Sequence, residues 1–76
     1  MKSFVLVYER PTGKLSYEEF APGHRPEAFA RRAKLQRSVG PDAEVVVLHA
    51  EDLNDLRTTH RRYFERAGEM LRHMAV

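Results

Sequence analysis

Two apolar runs of strand length constrain the fold of this chain more than any other feature of its sequence. Residues 3–9 contain the run from Phe4 to Tyr8, and residues 43–50 contain the run from Val45 to Leu48. β-branched and aromatic residues favour the pleated strand, and turn or charged residues bound both runs. We therefore predict a strand at each position. The first run is apolar on both faces, which is typical of the centre of a sheet.

A further strand is predicted over residues 14–20, where Leu15 and Tyr17 alternate with Ser16 and Glu18. Its polar side indicates an edge position. The connecting residues 10–13 are Arg-Pro-Thr-Gly, with Pro where a fixed φ suits a turn and Gly where a positive φ does. This pattern predicts a β-hairpin that closes with a glycine bulge.

A first helix is predicted from about residue 26 to residue 38. Pro26 suits the first helical turn, where its missing N–H has no partner to lose, and Gly40 followed by Pro41 stops the helix. The apolar residues of this segment are small and widely spread, so we expect it to pack closely on the sheet through Phe29 and Ala33. Its basic residues are expected to lie mostly outside: Arg31, Arg32, Lys34 and Arg37.

A longer second helix is predicted from residue 53 to about residue 74, with Asp52 as its N-cap and Asp55 favourable to the helix dipole. At 100° per residue, one arc of about 120° collects its apolar side chains and one histidine. These are Leu53, Leu56, His60, Tyr63, Phe64, Ala67, Met70, Leu71 and Met74. The opposite side carries Arg57, Arg61, Arg62, Arg66 and Arg72.

Together these elements predict one α+β domain over residues 1–76, in the order ββαβα. A right-handed crossover through the first helix makes the strand at 43–50 parallel to the strand at 14–20. We expect a three-stranded sheet of order 2-1-3 with two helices on one face. The other face or an edge then stays exposed, and in so small a domain such exposure favours a homodimer.

Length and composition limit the kinds of binding or catalytic site that this chain can form. A chain of 76 residues buries only a thin core, which also favours a partner subunit. Without cysteine it has neither disulfides nor thiolate metal sites. Its four histidines lack metal-ligand spacing and no Gly-rich phosphate loop occurs, so we expect no metal and no cofactor. The N-terminal apolar run is too short for a signal peptide or a membrane span, so we expect a cytoplasmic protein without membrane contact.

Charge is segregated along the chain, although the net charge is only +2. Both predicted helices are basic, whereas residues 43–56 carry four acidic residues and no basic one. The arginines at 57, 61, 62, 66 and 72 suit contacts with a nucleic-acid backbone. Glu65 and Glu69 are interleaved with them, as on a solvated helix face. Both interpretations of this surface remain open.

His60 fits its predicted surroundings least well, because the helical wheel places it among Leu56, Tyr63 and Phe64. An imidazole in such a position needs a hydrogen-bond partner or gives up its charge. One interpretation is a pH-sensitive or catalytic group that acts with Tyr63. The other is a buried histidine that a backbone carbonyl or a partner across an interface satisfies.

The opening run Phe4-Val-Leu-Val-Tyr-Glu-Arg-Pro-Thr-Gly13 and the segment from Val45 to Phe64 resemble a group of short actinobacterial and actinophage proteins. The likeness covers nearly the whole chain and includes an Arg-Thr-x-His-x-x-Tyr-Phe run, here Arg57 to Phe64. The resemblance implies a one-domain ββαβα fold and a common role for His60 and Tyr63. It implies no substrate, cofactor or catalytic residue.

The sequence therefore favours a non-enzymatic interaction module, a homodimer that presents the arginine face of its last helix or a sheet edge to another macromolecule. The alternative is a nucleic-acid-binding accessory protein that uses the basic C-terminal helix. A third hypothesis is a small enzyme built around His60 and Tyr63. It requires a pocket beside His60.

Overall fold

A mixed four-stranded sheet forms the centre of the fold. In the computed structural model, which describes residues 1–64 and the backbone of residues 71–73, the strands are β1 (Lys2–Glu9), β2 (Lys14–Phe20), β3 (Ala43–Ala50) and β4 (Leu71–His73). The sheet order is β3-β1-β2-β4. The predicted α+β class and the 2-1-3 order of the first three strands are confirmed.

Strand directions follow from the hairpin and the crossover. β1 pairs antiparallel with both β2 and β3, so β2 and β3 are parallel, as predicted. Gly13 has a φ of 76°, and its N–H donates to the Glu9 carbonyl at 2.7 Å, which closes the hairpin. Glycine adopts this backbone conformation without the steric cost that a side chain brings.

The predicted edge position of β2 is wrong. β4 pairs with β2 in parallel at residues 15–17, so the outer strands of the described sheet are β3 and β4. The alternating polar residues of β2 arise from a different cause. Glu18 lies under α1 (Arg25–Ser38), where its side chain is only 1% exposed and accepts a hydrogen bond from Arg31 Nε at 3.0 Å. Buried charges are found where such a partner is available.

The helices begin where local chemistry predicts. α1 has Pro26 in its first turn and ends before Gly40. α2 (Leu53–Thr59) begins at Asp52, whose side chain accepts from the N–H of Asp55 at 2.8 Å, so the predicted cap is confirmed. One further turn, α3 (Arg61–Phe64), follows.

The predicted placement of both helices on one face of the sheet is wrong. Alternate residues of β1 point to opposite faces. Val5 and Val7 pack with Ala28 of α1, whereas Phe4 and Leu6 pack with Leu56 of α2. Because β1 and β3 are apolar on both faces, each face needs its own cover. α1 covers one face, and α2 and α3 cover the other.

The predicted single helix over residues 53–74 is also wrong at His60 and at residues 71–73, and its residues 65–70 and 74 lie outside the described residues. The hydroxyls of Thr58 and Thr59 donate to the carbonyls of Asn54 and Asp55, each at 3.1 Å. Such bonds compete with regular helix geometry. His60 leaves the helical conformation with φ −125° and ψ 49°, and residues 71–73 form a strand instead.

α1 packs on the sheet through other residues than those predicted. Ala28 is fully buried and Leu35 packs against the same cluster. Phe29 is 48% exposed, and Ala33 is exposed too, so the expected contact through these two residues is wrong. Close approach of α1 to the sheet therefore depends on the small side chain at position 28.

Candidate functional site

The predicted arginine face does not form one continuous helical stripe. Arg57 on α2 lies over the Phe64 ring at 5.5 Å, and Arg62 on α3 lies over the Tyr63 ring at 4.7 Å. Arg61 is exposed. Arg66 and the side chain of Arg72 lie outside the described residues, as do Ala67, Met70 and Met74 of the predicted apolar arc. The break at His60 separates the two helical segments that carry the described arginines.

His60 is not the buried centre of an apolar face. It is half-buried at the junction of α2 and α3, and its Nδ1 lies 2.9 Å from the Thr59 hydroxyl. Its N–H donates to the Leu56 carbonyl at 2.9 Å, and its carbonyl accepts from the N–H of Tyr63 at 3.2 Å. The prediction that the wheel made for this side chain is therefore wrong, because the helix ends at this residue.

Tyr63 is buried, and it belongs to a polar cluster centred on Glu44, which we call the Glu44 cluster. Its members are Tyr8, Arg10, Glu44, Arg62 and Tyr63, which line one surface depression. The Tyr63 hydroxyl donates to Glu44 Oε2 at 2.5 Å and accepts from Arg62 Nη2 at 2.9 Å. Arg10 donates to Glu44 Oε1 at 3.3 Å. The cluster thus joins α3 to β3 and to the end of β1.

Electrostatics in the Glu44 cluster follow from these contacts. The Tyr63 hydroxyl lowers the pKa of Glu44, and the guanidinium groups of Arg62 and Arg10 lower it further. Burial raises the pKa of Tyr63, and its hydrogen bond to Glu44 adds to that effect. Glu44 is therefore an anion and Tyr63 a neutral donor over the ordinary pH range. With one carboxylate matched by two arginines and a hydroxyl, the arrangement suits a structural tether better than a general base.

The outer side of β3 is a second candidate site, which we call the β3 edge. Arg10 donates its N–H to the Asp42 carbonyl at 3.0 Å, so this pair is a hydrogen-bonded pair of the antiparallel ladder. Hydrogen-bonded and non-hydrogen-bonded pairs alternate along such a ladder. Val45, Val47 and His49 therefore direct their backbone N–H and C=O groups away from β1. No strand of the described residues lies beside them.

Side chains of α1 border the β3 edge. Arg32 Nε donates to the outward carbonyl of Val45 at 3.3 Å. One turn earlier, the exposed Phe29 ring lies 6.3 Å from the His49 ring. His49 Nδ1 is 3.0 Å from the hydroxyl of buried Ser3, and burial lowers the pKa of His49, with a further contribution from Arg25. An apolar ring and two guanidinium groups thus follow the α1 side of this edge.

Sequence reasoning missed both Glu44 and the edge residues of β3. Glu44 stood out only as one of the acidic residues between the basic segments. Its partners Arg10 and Tyr63 are 34 and 19 residues away in the chain. No local pattern connects positions so far apart. Phe29 gave no signal either, because the sequence predicted a packing contact for it and only the structure shows its ring 48% exposed.

The described residues contain no group of three or more His, Asp or Glu side chains placed to hold a metal ion. None of the described helices is both long and apolar enough to span a membrane. No family model, curated protein or solved structure matches the chain.

Proposed function

We propose that this chain is a non-enzymatic interaction module that binds an extended segment of another protein along the β3 edge. The observation that supports the proposal is the outer side of β3, a strand of eight residues with no neighbour on that side among the described residues. An added strand supplies main-chain partners for the outward N–H and C=O groups, of which the Val45 carbonyl otherwise accepts from Arg32 Nε. Main-chain pairing supplies the affinity, and the flanking side chains supply specificity.

The composition of β3 also favours this use. Natural proteins commonly protect an edge strand with inward charges, prolines or bulges. β3 contains no proline, pairs with β1 without a bulge over its whole length, and carries its single charged residue, Glu44, near one end. The outward groups at Val45, Val47 and His49 therefore form a regular template. A strand in a partner needs about five residues to span these three positions.

The arginine face is the weaker candidate. Arg57 and Arg62 contact aromatic rings of their own chain, and Arg62 also contacts Glu44. The nucleic-acid hypothesis remains a prediction that a low-salt titration with duplex or single-stranded DNA tests directly. The homodimer likewise remains a prediction, and light scattering at high concentration tests it.

Selection from a library of random linear peptides displayed on phage tests the proposed function. The discriminating variant is Val47→Pro, which removes an outward N–H without removing a hydrogen bond to β1. Val47→Ala is the matched control, because it also removes the branched valine side chain but keeps the N–H. We expect selected peptides to bind Val47→Pro at least about tenfold more weakly and Val47→Ala within about threefold of the original chain.

Circular dichroism checks that each variant is folded. His49→Pro, near the end of β3, serves as a second variant if Val47→Pro disrupts the sheet. Failure to enrich any peptide, or enrichment of peptides that bind both proline variants as tightly as the original chain, would refute strand addition at this edge.

A further inference from the structure

We infer that the segment bound at the β3 edge has the pattern acidic-x-apolar-x-acidic, with the acidic and apolar side chains on the side of α1. This inference rests on the proposed function, and it specifies the chemistry of the partner at the same edge. It follows from the side chains that border the edge and from the spacing of the outward groups on β3.

The α1 side of the edge has a regular order of charges. Arg25, Phe29 and Arg32 are spaced by four and three residues, so they share one side of the helix. Phe29 lies by His49 and Arg32 by Val45, so α1 runs antiparallel to β3. Arg25 lies one turn beyond Phe29, at the His49 end.

The spacing of these side chains matches that of a strand. From position 25 to position 32, α1 rises by about 10 Å. In an extended strand, the α-carbons of residues i and i+4 lie about 13 Å apart. In a partner strand whose residue i+2 lies beside Phe29, residues i and i+4 on the α1 side therefore lie toward Arg25 and Arg32, within reach of these long side chains. Carboxylates suit the two arginines, and an apolar side chain suits the aromatic ring.

Arg32 adds a second reason for an acidic residue at one end. Its Nε donates to the Val45 carbonyl, one of the outward acceptors that an incoming strand needs. An incoming N–H replaces that donor, and the displaced guanidinium then needs a new acceptor. A carboxylate on the partner, two residues from the apolar position, supplies one. Binding without that carboxylate leaves a charged donor without its protein acceptor.

The acidic-x-apolar-x-acidic pattern of the partner segment reads the same from either end. Acidic residues at i and i+4 around an apolar residue at i+2 meet Arg25 and Arg32 whether the partner strand runs parallel or antiparallel to β3. A partner strand of either direction therefore fits this edge.

A second copy of this chain fits the edge less well. On the α1 side, β3 presents Val45, Val47 and His49, none of which carries a carboxylate. In a β3 pair that is symmetric about Val47, Arg32 of one protomer lies toward Arg25 of its partner, so like charges meet. The charge pattern thus favours an acidic segment of a different protein.

Titration of the ¹⁵N-labelled chain with three synthetic peptides tests the inference. The probe is acetyl-Thr-Glu-Thr-Val-Thr-Glu-Thr-amide, and the comparison peptides carry Gln or Lys in place of both Glu residues. We expect shifts of the amide resonances of Val45, Val47 and His49, with the Glu peptide about tenfold tighter than the Gln peptide and the Lys peptide weaker still. Raising the salt concentration is expected to reduce the difference.

Variants of α1 identify the arginines responsible. We expect Arg25→Gln and Arg32→Gln each to weaken binding of the Glu peptide by about three- to tenfold. Lys34→Gln is the matched control, because Lys34 lies toward β2, beside Phe20 and Glu18. Its effect is expected to stay below about twofold, in line with a distant surface charge.

The outcomes separate the inference from the proposed function. Equal affinity of the three peptides, no effect of either arginine variant, or no binding of the Glu peptide refutes the acidic pattern. If library peptides still require the Val47 N–H, the proposed function stands and the inference alone fails. If the chain self-associates and Val47→Pro abolishes the self-association, a second copy of the chain occupies the edge. That result also overturns the inference.

Discussion

Removing the Tyr63 hydroxyl is the most informative single perturbation of this fold. Tyr63 is 7% exposed, and its hydroxyl joins α3 to Glu44 on β3 through the 2.5 Å hydrogen bond. Tyr63→Phe deletes one oxygen atom and keeps the ring, whose centroid lies 5.8 Å from that of Tyr8 in an edge-to-face contact. The variant therefore separates the hydrogen bond from the packing.

The expected loss follows from the partners of that hydroxyl. A hydrogen bond to a charged group contributes about 1.5–3 kcal/mol. Glu44 is 25% exposed in its side chain and keeps contacts with Arg10 and Arg62, so water and the two arginines compensate in part. We expect Tyr63→Phe to lower the free energy of unfolding by about 1–2 kcal/mol. In a domain of this size, each kcal/mol lost lowers Tm by roughly 4–8 °C.

Acid titration provides a second readout of the same hydrogen bond. Because the pKa of Glu44 is lowered in the folded chain, its contribution to stability is present above the ordinary value of 4.5 and is lost as the pH falls through the folded value. The Tyr63 hydroxyl is the main cause of that lowering, so Tyr63→Phe is expected to flatten the loss of stability below about pH 4.5.

Urea unfolding at several pH values measures both effects, and Glu44→Gln with the double variant completes a thermodynamic cycle. We expect the two single variants to be non-additive. A change below about 0.5 kcal/mol for Tyr63→Phe together with an unchanged acid profile would show that the Glu44 cluster does not tether α3.

Three further perturbations test the core, the buried ion pair and the edge. Leu56→Ala is expected to lower the free energy of unfolding by about 2–5 kcal/mol, whereas Phe29→Ala should change it by less than about 0.5 kcal/mol. Equal effects of the two variants in urea unfolding would contradict the burial of Leu56 and the exposure of Phe29. Arg31→Met leaves the carboxylate of Glu18 buried without its donor, so thermal unfolding should show a loss of about 1–3 kcal/mol in the free energy of unfolding. Adding Glu18→Gln to this variant should restore part of the loss, and no restoration would argue against the ion pair. Because burial lowers the pKa of His49, the unfolded chain takes up a proton before the folded chain as the pH falls through about 6.5, and the stability of the fold decreases there. His49→Gln should remove this decrease in Tm between about pH 7.5 and 5.5. An unchanged decrease in the variant would show that His49 does not cause it.

The first three strands and the hairpin could be predicted because their causes are local. Gly13 supplies the positive φ that the turn requires, and the apolar run of β1 indicates a central strand within a few residues of itself. The cap at Asp52 is equally local, since the residue that it binds is three positions away. A structural feature that depends only on residues a few positions apart can be predicted from the sequence alone.

The end of α2 shows where local periodicity fails. The arc from Leu53 to Met74 has helical spacing, yet the chain leaves the helix at His60. Helical propensity is a weak preference that tertiary contacts override. After the break, Tyr63 reaches Glu44 and packs on Tyr8, and these contacts lie on other elements of the fold.

The sequence by itself determined the positions of the first three strands, the turn, the helix starts and the 2-1-3 order, because each depends on neighbouring residues or on the sense of one crossover. Only the tertiary structure decided which face each helix covers, which carboxylates are paired, and that β3 is an outer strand of the described sheet, beside Phe29 and Arg32. These features depend on which distant residues the sheet register places side by side. That register results from packing on both faces at once, which no single segment encodes.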